Sequence, residues 1–384
     1  MPSTTNNSVA ARRLAQVTTT LAGLSTAAAP PQYVAPPATK ENLPYADLAV
    51  IDLSQGHTLS GRRSLATEVV RAMRTHGFFY VVNHGYSAEQ TTRMFSIANE
   101  TFDAVSEGEK AIYTGQSASV YEGYKPRQTW KIEDGVQDQI EHYNINRQVY
   151  NRPHPEPLRP YLAEIEAFAR HNHFNILHPI LRLLAMGMGL PDEALVEQHS
   201  FDEAGESSVR FMKYYPRSVD EEQRTKQVWL KGHTDIGSVT ILWSQPVGGL
   251  QILSPDGQWR WVRHMENALV INAGDVLTFL CGGFYPATRH RVIQPPADQR
   301  GRARVGVFYF AMANDALPLV PHTHSPVLQH VGVQRQCADA DAPTMQAWRQ
   351  GVTAAYGRST LVRSKQDARV EEEVIAGVVV KHYN

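Results

Sequence analysis

The sequence predicts a mainly β protein with flanking helices, in which an antiparallel barrel or jelly roll follows an N-terminal α/β region. Three observations support this. Between about residues 208 and 312, short apolar runs alternate with turn signals such as Pro246-Val247-Gly248-Gly249, Pro255-Asp256-Gly257 and Gly282-Gly283, and many short strands without intervening helices form barrels or jelly rolls. Ahead of residue 105, strand-like and helix-like stretches alternate. Residues 158–189 read as helix, with Pro179 marking a break or kink because its ring removes a backbone donor.

Taken in order, residues 1–45 form an N-terminal helix and linker. Leu14, Val17, Leu21 and Leu24 make one apolar stripe at helical spacing. The first 40 residues also lack Asp and Glu and carry Arg12-Arg13, which resembles a mitochondrial transit peptide. Residues 28–44, rich in Ala and Pro, read as an extended linker. The N-terminal region, 46–150, opens with a short strand at 49–53 and an amphipathic helix at 62–75 through Leu65, Val69, Ala72 and Met73. Gly77 ends that helix, a buried strand spans 78–82, and a helix at 87–105 is capped by Ser87. A helical segment covers 151–205, the β core 206–330, and a helical tail 331–384. Strand candidates in the core are 209–215, 228–231, 238–243, 250–253, 259–263, 268–272, 276–280, 291–294 and 305–312.

The net charge is −1, which gives no support for nucleic acid or an anionic membrane as partner. No apolar run is long enough to span a bilayer. Two cysteines, Cys281 and Cys337, make neither a disulfide framework nor a Cys-rich zinc site, so a cytoplasmic chain is expected. The expected partner is a small-molecule substrate, and the expected state is monomer or homodimer.

The chemistry-bearing residues are His233, Asp235 and His290. In a strand, residues i and i+2 share a face, so His233 and Asp235 can reach one metal while Thr234 points away. His290 must arrive from an adjacent strand. Two histidines and one carboxylate form the facial set of non-haem Fe(II) centres, which leaves coordination positions open. His171 and His173 fall on different faces of a helix and are read as non-ligands.

Further motifs surround this set: Gly77-Phe78-Phe79-Tyr80-Val81-Val82-Asn83-His84-Gly85, Tyr214-Tyr215-Pro216, Gly249-Leu250-Gln251, Asn272-Ala273-Gly274-Asp275, Thr288-Arg289-His290-Arg291-Val292 and Arg304-Val305-Gly306-Val307-Phe308. In order and spacing, from about residue 46 to 330, the chain resembles the isopenicillin N synthase-like Fe(II)/2-oxoglutarate-dependent dioxygenases. The resemblance implies a double-stranded β-helix (jelly-roll) core, with His233, Asp235 and His290 holding iron. It also implies 2-oxoglutarate as cosubstrate, O₂ as oxidant, ascorbate as reductant, and release of succinate and CO₂. Arg304 matches the family arginine that pairs with the distal carboxylate of 2-oxoglutarate, a contact suited to a guanidinium fork. Arg302 is the rival at an offset of two residues. Tyr215 matches the family's cosubstrate-contacting tyrosine. Gly306 stands where the family has serine, removing one hydroxyl.

Lys213 is expected to share the face of Tyr215 and to anchor an anionic substrate, unless its ammonium escapes to solvent. Tyr143 is expected to line the pocket. Phe308 and Phe310 share the face of Arg304 and either form an aromatic wall or pack as core. The expected reaction is hydroxylation, desaturation or oxidative cyclisation of a small, largely apolar metabolite, in secondary metabolism by the family likeness. Alternatives are an iron oxidase of the same fold that does not use 2-oxoglutarate, a non-catalytic small-molecule-binding module, and a zinc site built on His322 and His324.

Overall fold

The computed structural model describes residues 30–114, 122–355, 362–364 and 370–383. The helix expected at Leu14–Leu24 lies outside them. Residues 30–49 lie outside any helix or named strand, and the backbone amide of Tyr33 donates to Ser96 Oγ. Next come β1 (Val50–Asp52), α1 (Leu59–Thr75), β2 (Phe78–Val82) and α2 (Ala88–Asp103). Helix α1 buries Leu65, Ala66, Val69, Ala72 and Met73, the stripe that its sequence period sets. Ser87 and Gln90 close a reciprocal capping box on α2, satisfying two otherwise orphaned backbone donors.

Strands β3 (Gly123–Lys125), β4 (Lys131–Glu133), β5 (Val136–Gln137) and β6 (Ile140–Asn146) precede a helical run at 156–187. That run contains a π-helical stretch, His171–Leu177, and Pro179 sits in the first turn of the helix after it. The backbone is helical on both sides of Pro179, so the break comes as the wider π turn just before it rather than as a helix end. The core strands are β7 (Ser208–Tyr214), β8 (Val228–His233), β9 (Val239–Trp243), β10 (Leu250–Leu253), β11 (Trp259–Trp261), β12 (Leu269–Ala273), β13 (His290–Ile293) and β14 (Arg304–Ala311).

Two of the expected elements change. The run at 276–280 is a helix, α3 (Asp275–Leu280), not a strand. Five apolar residues fit a buried helix as well as a buried strand. The choice is made by the 235–238 turn, whose Asp235 and Gly237 carbonyls accept from the N–H groups of Asp275 and Val276. The tail is not wholly helical either. Helix α4 (Met345–Ala355) is followed by β15 (Val362–Arg363), β16 (Val370–Ile375) and β17 (Val378–Tyr383). Ala376-Gly377, both with positive φ, form the two-residue turn between β16 and β17, and the β-branched run Val378-Val379-Val380 supplies the strand.

The strands form an eight-stranded sheet, β1-β2-β12-β9-β14-β7-β6-β3, and a seven-stranded sheet, β11-β10-β13-β8-β17-β16-β15. One face of the larger sheet packs on the helices through Phe79, Val81, Phe211, Ile241, Trp243, Ile271 and Tyr309. Its other face contributes Phe78, Tyr80, Met212, Tyr214, Leu242, Val270 and Phe308 to a second core shared with Trp229, Leu250, Ile252 and Val292 of the smaller sheet. Period-two alternation in each central strand therefore separates a helix-facing side from a jelly-roll interior.

Leu65→Ala, in the α1 stripe, should lower unfolding free energy by about 2–5 kcal/mol, against about 1 kcal/mol for Ser87→Ala. Urea denaturation of the two variants checks the ranking, and equal losses would contradict this packing.

Candidate metal centre and its cavity

Strand β8 ends on His233, and β13 begins on His290. The two are cross-strand partners in an antiparallel pair, with ring centroids 4.4 Å apart. Asp235 lies just beyond β8, in the turn that leads to β9. One nitrogen or oxygen from each of the three side chains lies within 4.8 Å of the others, the one such group among the described residues. Asp235 Oδ1 is 3.9 Å from His233 Nε2 and 3.7 Å from His290 Nε2.

Hydrogen bonds aim each ligand atom. His233 Nδ1 faces its own strand's Lys231 carbonyl at 2.8 Å, and His290 Nδ1 faces the Thr288 carbonyl at 3.2 Å. A proton on each Nδ1 leaves the Nε2 lone pair for a metal. Asp235 Oδ2 accepts from Thr240 Oγ1 at 2.6 Å and Asn272 Nδ2 at 2.8 Å, so Oδ1 is left facing the imidazoles. Gly274 lets the turn close: a Cβ there would lie 2.2 Å from the Gly237 carbonyl oxygen. Burial, followed by the neighbouring His290, pushes His233 down to about 4, which keeps it neutral. Burial acts to raise Asp235, but His290, His233, Asn272 and Thr240 together hold it below the usual carboxylate range. A neutral His233 imidazole, the His290 Nε2 beside it and an ionised carboxylate suit a divalent cation.

The cavity beside these groups is lined by Phe78, Trp130, Arg210, Met212, Tyr214, Arg304 and the Phe308–Phe310 pair, among others. Phe78 meets His290 edge-on at 5.5 Å. Arg304 is 4 % exposed, and its Nε has no hydrogen-bond partner among the described residues. Burial depresses its pKa, yet a guanidinium stays charged. A buried cation with an orphaned donor fits an incoming carboxylate. Arg302, the rival position, is exposed.

Three of the expected site residues lie elsewhere. Arg304 pairs with Tyr214 across β14 and β7, which puts Tyr214, Met212 and Arg210 on the cavity face. Tyr215 and Lys213 have the opposite parity. Tyr215 donates its hydroxyl to Glu141 at 3.2 Å, and Lys213 forms an ion pair with Asp103 of α2 at 2.6 Å. The tyrosine beside Arg304 is thus Tyr214, its ring 5.5 Å from the guanidinium carbon. Tyr143 lies opposite Phe211, in the helix-facing core, and its hydroxyl meets His154. Ile140, His142 and Asn144 of β6 lie opposite Tyr214, Met212 and Arg210 and share their sheet face.

Arg210 and Trp130 were not legible as site residues in the sequence. For Arg210 the signal was its i, i+4 spacing from Tyr214. Trp130 is brought in by a buried ion pair between Lys125 and Asp138, with the ammonium 4.0 Å over its ring. His322 meets Gln198 and His324 rather than a third ligand.

Gly306 acquires a steric reason. A Cβ at 306 would lie 2.6 Å from the Phe308 ring, so that ring fills the space a serine side chain would need.

Comparison with known proteins agrees with this geometry. Residues 206–311 match the family described as 2OG-Fe(II) oxygenase superfamily. Residues 48–162 match the non-haem dioxygenase in morphine synthesis N-terminal family. A 2-oxoglutarate-dependent dioxygenase of Gibberella zeae is 29% identical over 255 residues, 65% of this chain and 74% of its own. Scopoletin 8-hydroxylase of Arabidopsis thaliana is 30% identical over 247 residues, 63% of this chain and 65% of its own. A full-length Neurospora crassa protein solved with alpha-KG has the same fold, with TM-score 0.70 and 22% identity over 84% of this chain and all (100%) of that one.

Gly306→Ser should cost about 1–3 kcal/mol of stability by overpacking against Phe308, and should cost less than that in a Phe308→Val background, where the clashing ring is gone. Thermal melts of the single and double variants decide this. Asn272→Ala should weaken Mn(II) binding by roughly 10–100-fold, because the Asp235 carboxylate loses an orienting donor. An unchanged Mn(II) isotherm would remove Asn272 from that role.

The matched families, the relatives and the jelly-roll fold agree: the chain belongs to the Fe(II)/2-oxoglutarate-dependent dioxygenases, enzymes whose cofactors are Fe(II), 2-oxoglutarate and O₂.

Proposed function

We propose that this enzyme oxidises a small, planar, largely apolar metabolite, with His233, Asp235 and His290 as iron ligands and Arg304 as the anchor of 2-oxoglutarate. The observation that carries this is the convergence of the three ligand atoms in the cavity that also holds a buried arginine with an orphaned donor. Iron with O₂ and 2-oxoglutarate supplies the oxidising equivalent for a substrate C–H bond, with release of succinate and CO₂.

The residues of the chain bind, orient and exclude. His233 and His290 present Nε2 lone pairs at fixed angles because their Nδ1 atoms are tied to backbone carbonyls. Thr240 and Asn272 keep Asp235 to one ligating oxygen, which leaves positions for cosubstrate and O₂. Arg304 receives the far carboxylate of 2-oxoglutarate in a site shielded from water, where a charged pair is stronger than at the surface. Phe308, Phe310, Trp130 and Phe78, together with aliphatic residues such as Leu242, Leu250 and Val292, make the remaining wall apolar, and the Phe308–Phe310 side of it fits a flat ring held with one C–H near the metal. Supporting this class, the named relatives include scopoletin 8-hydroxylase and flavonol synthase 3, and a structural neighbour was solved with thymine. Each of those compounds carries a planar ring.

Asp235→Ala should abolish turnover and tight Mn(II) binding. Arg304→Ala should raise the KM for 2-oxoglutarate by about 10–100-fold, the loss of hydrogen bonds to a charged group. Both are read from succinate formation with Fe(II), ascorbate and ring-bearing metabolites, with and without 2-oxoglutarate. Product mass separates hydroxylation from desaturation or ring closure. Equal turnover without 2-oxoglutarate, or activity retained by Asp235→Ala, would overturn the assignment.

A further inference from the structure

Two arginines enter this cavity, and only one is needed for 2-oxoglutarate. Arg304 opens β14 opposite Tyr214, while Arg210 lies opposite Phe308, four residues further along the same strand pair. At strand spacing this separates them by about 13 Å along the sheet, on one face. Arg210 also borders an adjoining cavity, where His233 and Asp235 reappear beside Ile236, Phe310 and Met312. It therefore borders both cavities, as His233 and Asp235 do.

Its guanidinium is held on two sides. Nε donates to Asn144 Oδ1 at 2.6 Å, and the guanidinium carbon sits 4.4 Å from the centroid of the Phe310 ring. Phe310 in turn stacks on Phe308, with centroids 5.6 Å apart and planes 13° from parallel. A guanidinium oriented over a flat aromatic wall suits recognition of a flat molecule with oxygen at its edge, since the fork of donors and the wall then act on one plane.

Charge points the same way. Of the side chains lining the main cavity, Arg210 and Arg304 are cationic and Asp235 is anionic. The two charges of Fe(II) and the two carboxylates of 2-oxoglutarate offset each other, so the loaded cavity keeps a positive balance. An anion entering it is favoured over a neutral compound of the same shape.

We propose that Arg210 is the substrate-anchoring residue, and that the substrate is a planar aromatic or heteroaromatic anion whose charged oxygen edge meets this guanidinium while its ring lies along Phe308 and Phe310. The proposal rests on the iron and 2-oxoglutarate reading above. It explains how an apolar-walled cavity selects a polar handle, and it gives Asn144 a positioning role through Arg210.

The test uses the full chain loaded with Mn(II), which supports no turnover, and saturating 2-oxoglutarate. Benzoate and 2-naphthoate are titrated calorimetrically, each against its neutral amide. Each acid should bind at least about tenfold more tightly than its amide, the scale of a charge-assisted hydrogen bond. Arg210→Gln should erase that preference while amide and 2-oxoglutarate affinities stay within about twofold, which also reports an intact fold. Arg210→Lys should retain part of the preference. Asn144→Ala should reduce it, and a conserved preference there would withdraw the positioning role. Wild-type protein that binds acid and amide equally, or binds neither, would overturn the proposal, as would a preference that survives Arg210→Gln.

A third arm separates this failure from failure of the metal reading. If the chain binds no Mn(II) or 2-oxoglutarate, the acids are titrated on metal-free protein. Acid binding that falls with Arg210→Gln upholds the anchor, and binding that falls only with Arg304→Gln refutes it.

Discussion

The site depends on one carboxylate held from across the jelly roll. Asp235 follows β8 of the seven-stranded sheet, whereas Thr240 and Asn272, which bind its Oδ2, come from β9 and β12 of the eight-stranded sheet. The hydrogen bonds that orient the ligand are therefore also bonds between the two sheets. A buried carboxylate is costly unless it is paired and hydrogen-bonded. Here every route to satisfying it fixes the spacing of the sheets at the place where the imidazoles converge.

That constraint explains the neighbouring backbone. The 235–238 turn must run close to the start of α3, and Gly274 allows the approach. The same turn receives Asp275 and Val276 N–H groups, so the helix is seeded where a strand would have been compatible with the side chains. The cross-strand pairing of His233 with His290 then brings the second imidazole in without any long loop.

The cavity wall is divided along a single strand. Arg304, Gly306, Phe308 and Phe310 alternate onto one face of β14, and Gly306 is small because the Phe308 ring folds over it. Charge for a carboxylate sits at one end and a stacked aromatic surface at the other. Replacing a hydroxyl by an aromatic ring at this point makes the cavity less polar beside Arg304, at a position where this chain departs from the related pattern.

Much was legible in the sequence, because it is written in local periods. The capping box at Ser87, the α1 stripe, the succession of short strands and the pair His233 and Asp235 follow from residues close in the chain or from fixed spacing, while His290 came from the family likeness of its motif. Parity was not. Whether Tyr214 or Tyr215 faces the interior turns on the register of β7 against β14, and a shift of one residue reverses every side chain. That reversal sent Lys213 to Asp103 and Tyr143 into the helix-facing core. Arg210, Trp130, Thr240 and Asn272 reach the site from different strands and a loop, so only the tertiary structure could bring them together. The sequence determined which chemistry the chain can perform, since ligand types and spacing are local. The packing of two sheets decided which side chains surround it, since that depends on register between strands far apart in the chain.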